Sequence, residues 1–188
     1  MTTRNQIRIV GGAWRGRKLA FPDSTGLRPT PDRVRETLFN WLAPVVGGSR
    51  CLDLFAGSGA LGFEAASRGA AEVVMVERDA AVAKNLREQQ QRLNAAQIQV
   101  VQADALQFLA GAPRPFDIVL LDPPFGQNLL QQVLATLARG WLAPRAWIYM
   151  EAERGLDGGA LSGWLPESFE LYRSKATGQV GYHLARRV

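Results

Sequence analysis

Residues able to hold a metal or form a disulfide are almost absent from this sequence. Its 188 residues include one cysteine, Cys51, and one histidine, His183. A lone thiol excludes an intramolecular disulfide framework and any multi-cysteine site, and the pair cannot supply the clustered ligands that zinc or iron takes. No stretch approaches the ~18 apolar residues of a membrane span. Arg4 and Arg8 bracket only a very short apolar stretch, so the first ten residues lack the core of a signal peptide. The expected setting is the cytosol, with no membrane and no metal. Nothing repeats at a fixed period, which excludes a solenoid.

The residues present suit one domain of ordinary size. With 47% hydrophobic and 21% charged residues, the chain is too apolar for disorder and can bury about 70% of its unfolded surface. Its charge is uneven. Against a total of +5, residues 1–35 carry eight bases (Arg4, Arg8, Arg15, Arg17, Lys18, Arg28, Arg33 and Arg35) and two acids (Asp23 and Asp32). That segment is +6 and the other 153 residues sum to −1. Seven of the eight bases are arginine, which favours phosphate forks and base stacking and points to a nucleic acid.

Ile7–Val10 and the stretch through Leu19 to Phe21, joined through Gly11-Gly12, predict a small basic hairpin that leans on the main domain or on a partner. Thr30-Pro31 predicts a helix start, with Thr30 as cap. The helix from Asp32 to Leu42 carries Val34, Leu38, Trp41 and Leu42 on one stripe and is expected to end at Pro44 and Gly47-Gly48. From residue 50, strands and helices alternate: strands at 51–54, 72–77, 97–102, 116–121 and 147–150, and helices at 60–67, 79–94 and 128–139. Residues 168–173 and 179–186, with a turn-like 174–178 between them, predict a terminal hairpin. The pattern is that of a three-layer α/β sandwich, whose mostly parallel seven-stranded sheet ends in an antiparallel hairpin.

The loop after the first of these strands reads Asp53-Leu54-Phe55-Ala56-Gly57-Ser58-Gly59-Ala60-Leu61-Gly62. Its glycines allow a sharp turn and a close approach to a ligand. An acid just before it suits a ligand with a cationic amino-acid end better than a pyrophosphate, and S-adenosylmethionine (SAM) has such an end and no phosphate. Glu77 ends the second strand, where it can accept both ribose hydroxyls. Asp104 follows the third, where it can accept from the adenine amino group, and Asp122 follows the fourth. Ligands gather at the carboxyl ends of strands in such sheets, so the four acids are expected along one edge.

Asp122-Pro123-Pro124-Phe125 is a stiffened turn, because both prolines fix their backbone. It would aim the Asp122 carboxylate and the Pro123 carbonyl at one small polar group, with Phe125 as a face on which a base stacks. That combination fits methyl transfer to an exocyclic amine of a base by orientation and electrostatics, without a covalent intermediate. Cys51, at the start of a buried strand, is a core residue and no cytosine nucleophile. His183 lacks partners for a triad.

These motifs together resemble the class I SAM-dependent methyltransferases, with their Rossmann-like fold. Arg8-Ile9-Val10-Gly11-Gly12, Trp14–Leu19 and Leu27-Arg28-Pro29-Thr30-Pro31-Asp32-Arg33-Val34-Arg35-Glu36-Thr37-Leu38-Phe39-Asn40-Trp41-Leu42 are similar to the RsmD family. The resemblance implies a SAM-dependent 16S rRNA (guanine-N2)-methyltransferase acting on the assembling small ribosomal subunit, at the guanine conventionally numbered 966. It implies cofactor binding by Asp53, Phe55, Gly57, Ser58, Gly59, Glu77, Arg78, Asp104 and Ala105, helped by Thr30 and Arg33. Asp122, Pro123 and Phe125 would form the target-base site, and Arg8, Trp14, Arg15, Arg17, Lys18, Arg28 and Arg35 would meet RNA. Residues 1–29 would be an RNA-contacting extension and residues 30–188 the catalytic domain. A monomer is the default. The competing expectations are an adenine-N6 methyltransferase using the same turn, and a non-catalytic RNA-binding assembly protein.

Overall fold

The computed structural model describes residues 5–24, 27, 29–126, 128–156 and 158–188. Strands β1 (Gln6–Arg8) and β2 (Lys18–Ala20) pair antiparallel, with Ile7 opposite Leu19. Then come α1 (Asp32–Val46), β3 (Arg50–Asp53), α2 (Ala60–Ser67), β4 (Glu72–Glu77), α3 (Ala80–Arg92) and β5 (Ile98–Gln102). They are followed by α4 (Ala105–Leu109), β6 (Phe116–Leu121), α5 (Leu129–Leu137), β7 (Leu142–Glu153), α6 (Gly158–Trp164), β8 (Phe169–Thr177) and β9 (Val180–Arg187). The seven later strands form one sheet in the order β5-β4-β3-β6-β7-β9-β8. The first five run parallel, and β9 is antiparallel to both β7 and β8.

The unbroken apolar runs of β4 and β6 follow from burial on both sheet faces. Val73 and Met75 face a core shared with Leu38 of α1, Phe63 of α2 and Leu86 of α3. Val74 and Val76 face a second core with Leu109 of α4, Val133 of α5 and Leu161 of α6. The N-terminal hairpin belongs to the first layer, because Ile7, Ile9, Leu19 and Phe21 are buried in its core. Among the described residues no helix is long and apolar enough to cross a membrane.

Several local expectations are corrected. Thr30 does not cap α1; Pro31 occupies that position without a side-chain bond, and the Thr30 hydroxyl donates to Glu151 instead, at 2.9 Å. Pro44 lies inside α1, which continues to Val46. The carbonyl it cannot bond is that of Asn40, an exposed residue, so the missing bond falls on the solvent side of the helix. Strand β7 has twelve residues, since exposed Pro144 and Arg145 interrupt the apolar pattern that defined only its middle. The polar 174–177 segment is not a turn but the exposed end of β8. Helices α4 and α6 were not anticipated: one has five residues, and the other contains three glycines, which disfavour a helix locally.

One buried carboxylate joins the hairpin to the helices. Glu64 of α2 is completely buried. Its Oε1 accepts from the Gly11 N–H and Arg68 Nε, both at 2.8 Å, and its Oε2 from the Val10 N–H at 2.9 Å and Arg35 Nη1 at 3.1 Å. Arg35, itself 1% exposed, also donates to the Thr30 carbonyl and to Asp32. The loop after Gly11 closes on the end of α2: the Ala13 N–H donates to the Ser67 carbonyl and the Trp14 N–H to Ser67 Oγ. Gly12 sits at φ +76°, where a Cβ would lie 1.9 Å from the Ser67 carbonyl oxygen, so only glycine permits this contact.

Glu64→Ala would strand a buried guanidinium and two backbone donors. It is expected to lower stability by about 3–5 kcal/mol, measured by urea unfolding at neutral pH. A loss no larger than that of a surface substitution would show that the network contributes little.

Candidate active site

The parallel arrangement brings five acids to one edge of the sheet. Asp53 ends β3 and Glu77 ends β4, Asp104 follows β5 and Asp122 follows β6, and Glu151 lies near the end of β7. Sheet order therefore sets them in the sequence Asp104, Glu77, Asp53, Asp122, Glu151 along the carboxyl edge. Four are the acids singled out from the sequence. Glu151 is not among those four, although it directly follows the strand expected at 147–150 and so fits the same rule of an acid after a strand.

Asp53 is 1% exposed. Its Oδ2 accepts from the Gly62 N–H at 2.9 Å, and its buried Oδ1 has no hydrogen-bond partner among the described residues. Burial, opposed by the Gly62 N–H and more weakly by that of Phe55, and reinforced by Glu77 and Glu151, pushes its carboxyl up to about 7. A Cβ at Gly62 would meet Met75 at 2.9 Å and Asp53 Oδ2 at 3.0 Å, so glycine there lets α2 sit directly on the carboxylate. Glu77 ties the loop to its neighbour: Oε2 accepts from the Gly57 N–H at 2.9 Å and Oε1 from the Asp79 N–H at 2.8 Å.

Other expected cofactor residues differ in exposure. Asp104 is exposed and caps α4, accepting from the Leu106 and Gln107 N–H groups with Oδ1. Ser58, Ala105 and Thr30 are buried, Phe55 is half-buried, and Gly57 is half-buried beside buried Gly59. Arg78 and Arg33 are exposed.

The Asp122–Phe125 turn leaves β6 beside β7. Leu121 pairs with Met150, so Asp122 and Glu151 are the next residues on adjacent strands. Pro123 is buried, whereas Phe125 is 42% exposed. Burial first, then the Glu151 and Asp53 carboxylates, raise Asp122 well above the ordinary carboxylate range. Glu151 is buried and one of its oxygens accepts from both the Thr30 and Tyr149 hydroxyls, at 2.9 and 3.0 Å. Its own pKa is raised by burial against the pull of these two bonds.

The basic residues divide into two sets. Arg15, Arg17 and Lys18 are exposed around the start of β2, and Arg8 is exposed but paired with Asp32 at 3.0 Å. Arg35, expected at an RNA surface, is instead buried in the Glu64 network and cannot meet a phosphate. Trp14 is half-buried against the first core. Arg28 lies outside the described residues. Cys51 is buried and its thiol is pushed up to about 12, chiefly by burial. His183 bonds Ser174 within the terminal hairpin and pairs with Met150 of β7, and burial lowers its pKa.

The site fits a ligand carrying an ammonium and a cationic centre. A buried carboxylate oxygen without a donor awaits one, and burial raises the pKa of three carboxyls on adjacent strands, with neighbouring carboxylates adding to the shift at Asp53 and Asp122. In the ligand-free protein this is destabilising. The folded chain holds the Asp53 proton that the unfolded chain releases near pH 4, so native stability falls as pH rises from about 4 to 7. Asp53→Asn should therefore raise the unfolding midpoint of the ligand-free protein at pH 8, by the equivalent of about 1–4 kcal/mol, and leave it nearly unchanged at pH 4. Equal effects at both pH values would contradict this account.

Comparison with known proteins agrees with this geometry. A family model described as Conserved hypothetical protein 95 matches residues 7–186. The chain is 51% identical over 183 residues to Ribosomal RNA small subunit methyltransferase D of Escherichia coli (strain K12), covering 97% of this chain and 90% of that one. It is 46% identical over 186 residues to the Haemophilus influenzae protein of the same name, covering 96% and 94%. Among solved structures, the yhhF protein of Escherichia coli superposes with a TM-score of 0.87 at 49% identity, over 97% of this chain and 98% of that one. A family match across all but the two extremities, on a fold with this sheet order and this row of acids, establishes that the chain belongs to the RsmD family.

Proposed function

We propose that this protein transfers a methyl group from SAM to the exocyclic N2 amine of one guanine, position 966, of 16S rRNA in the assembling small subunit. The observation that carries the reading is the rigid Asp122–Phe125 turn beside Asp53 on the neighbouring strand. A target amine and the cationic end of a cofactor are thereby received side by side.

When bound, SAM supplies an electrophilic methyl on a sulfonium. Asp53 offers its free Oδ1 to the ammonium, and Glu77 offers its remaining lone pairs to ribose hydroxyls while it keeps the glycine loop in place. Asp104 has Oδ2 left over from its capping role to face the adenine amine. Asp122 accepts one N–H of the guanine amine and the Pro123 carbonyl accepts the other, which orients the nitrogen lone pair. A cation held in this site would favour the ionised form of Asp122, the form that accepts an N–H. The proton shed by the methylated nitrogen has Asp122 as a ready acceptor. Phe125, exposed at the turn, stacks on a base rotated out of the RNA.

Residues 1–29 contribute the RNA contacts, through Arg8, Arg15, Arg17, Lys18, Arg28 and the exposed part of Trp14. Residues 30–188 carry the catalytic edge.

The test is labelled-methyl transfer from SAM to small subunits that lack the modification, with the labelled nucleoside identified by mass. N2-methylguanosine from one site is expected; N6-methyladenosine would assign the turn to adenine. Asp122→Ala should lower kcat by about 10²-fold or more while changing the SAM dissociation constant little, since the carboxylate faces the amine. Retained turnover would remove that role. Neutralising Arg15, Arg17 and Lys18 should weaken subunit binding and reduce the slope of log affinity against log salt by about 2–3. Unchanged affinity and slope would place the RNA grip elsewhere.

A further inference from the structure

Positive charge in this chain sits at both ends. Residues 1–35 are +6, and residues 169–188 hold four bases (Arg173, Lys175, Arg186 and Arg187) against Glu170, hence +3. The 133 residues between them sum to −4. Three of the four C-terminal bases face the same side of the sheet as the N-terminal hairpin. Tyr149, Tyr182 and Leu184 share their core with Ile7, Ile9 and Leu19. Arg186, Leu184 and Tyr182 pair with Trp147, Tyr149 and Glu151 along β7, and Arg173 and Lys175 pair with Leu184 and Tyr182 along β9.

A bulge makes this row possible. The β8–β9 register shifts between Leu171 and Arg173, which turns Tyr172 and Arg173 toward one face. Tyr172, 37% exposed, lies edge-on to Trp147 at 5.4 Å. The Arg186 guanidinium stands 4.4 Å and the Arg173 guanidinium 4.8 Å from its ring centre. Further along, Lys175 is 5.9 Å from the Trp41 ring, which stacks on Tyr182 at 5.8 Å. Arg186 is paired with Glu170 at 2.8 Å. Among the described residues, neither Arg173 nor Lys175 has a carboxylate within ion-pair distance.

We propose that this face of the terminal hairpin is a second rRNA-binding surface, on which Arg173 and Lys175, held by Tyr172 and Trp41, grip backbone phosphates. The inference rests on rRNA being the substrate. A lone solvated lysine is enough to stop an edge strand from pairing with another sheet. A guanidinium stacked on a ring has lost rotamer freedom and keeps its N–H edge for a planar anion. The row begins at Tyr182, opposite Glu151 of the catalytic edge, and runs away from it along β8. RNA entering the site is thus held on one flank of α1 by the hairpin of β1 and β2 and on the other by this surface. Two separated grips define the orientation of a folded RNA, which one grip does not.

The double variant Arg173→Gln/Lys175→Gln tests this against a charge-matched control, Lys84→Gln/Arg139→Gln, whose residues lie on α3 and just beyond α5. The first pair should weaken binding to unmodified small subunits about tenfold and lower the salt slope by about 2. It should raise KM for the subunit with kcat within about twofold, and leave SAM affinity and the unfolding midpoint unchanged. The control should change none of these. Subunit affinity equal to wild type, or an equal loss in the control, would overturn the proposal. So would a wild-type dimer in sedimentation that the double variant dissociates, since the strip would then be a contact between copies. If wild type methylates no ribosomal RNA, the proposed reaction fails. Binding of wild type and both variants to naked 16S rRNA then decides the hairpin separately: unequal affinity sustains it and equal affinity sinks it.

Discussion

The buried carboxylate of Glu64 is the point on which the N-terminal third depends. Its two oxygens accept four donors, from two backbone amides and two arginines. The arrangement is tolerable in a dry environment only because each partner compensates another. It fixes the loop after β1 against α2 and sets α1 in angle to both. It also positions Thr30, whose carbonyl is bound by Arg35 and whose hydroxyl reaches Glu151 on β7. A single internal charge thus links the basic hairpin to the catalytic edge. The same residue explains why one arginine in the Thr30–Trp41 segment is unavailable to RNA.

The catalytic edge obeys the opposite logic. Asp53, Asp122 and Glu151 are buried or half-buried near one another, and no cation among the described residues neutralises them. Where Glu64 is satisfied, these groups are left wanting positive charge, and the chain accepts a less stable ligand-free state to keep them so. The two kinds of buried acid differ in what surrounds them rather than in depth: Arg35 of α1 and Arg68 at the end of α2 present guanidiniums to one, while the strand ends present only hydroxyls, amides and other acids to the rest.

Much of this was legible in residue order. The strands at 72–77 and 116–121 and the helix at 60–67 were readable to the residue, because unbroken apolar runs and a glycine loop mark them locally. The row Asp53, Glu77, Asp104 and Asp122 was readable because a parallel sheet turns one sequence rule, acid after strand, into one spatial edge. Glu151, the next residue after the strand expected at 147–150, obeys the same rule and was within its reach. Arg35, three and seven residues before Leu38 and Leu42, shares the apolar stripe of α1, and exposed Arg33 does not. What residue order does not show is the charge that meets it, because the i to i+29 contact with Glu64 has no local signature. The terminal hairpin was found, but its length was not, since polar residues on an exposed edge strand read as a turn.

The order of the last three strands carries a consequence for assembly. β9 comes after β8 in the chain but lies between β8 and β7 in the sheet. The outermost strand therefore has no neighbour until the strand following it is in place. β8 joins the sheet only through β9, which pairs with β7 from Trp147 to Glu153. This places Tyr182 against Trp41 and alongside Glu151. The far wall of the row of acids is thus built from the last strand of the chain, and any change that loosens β9 reaches Glu151 without touching it.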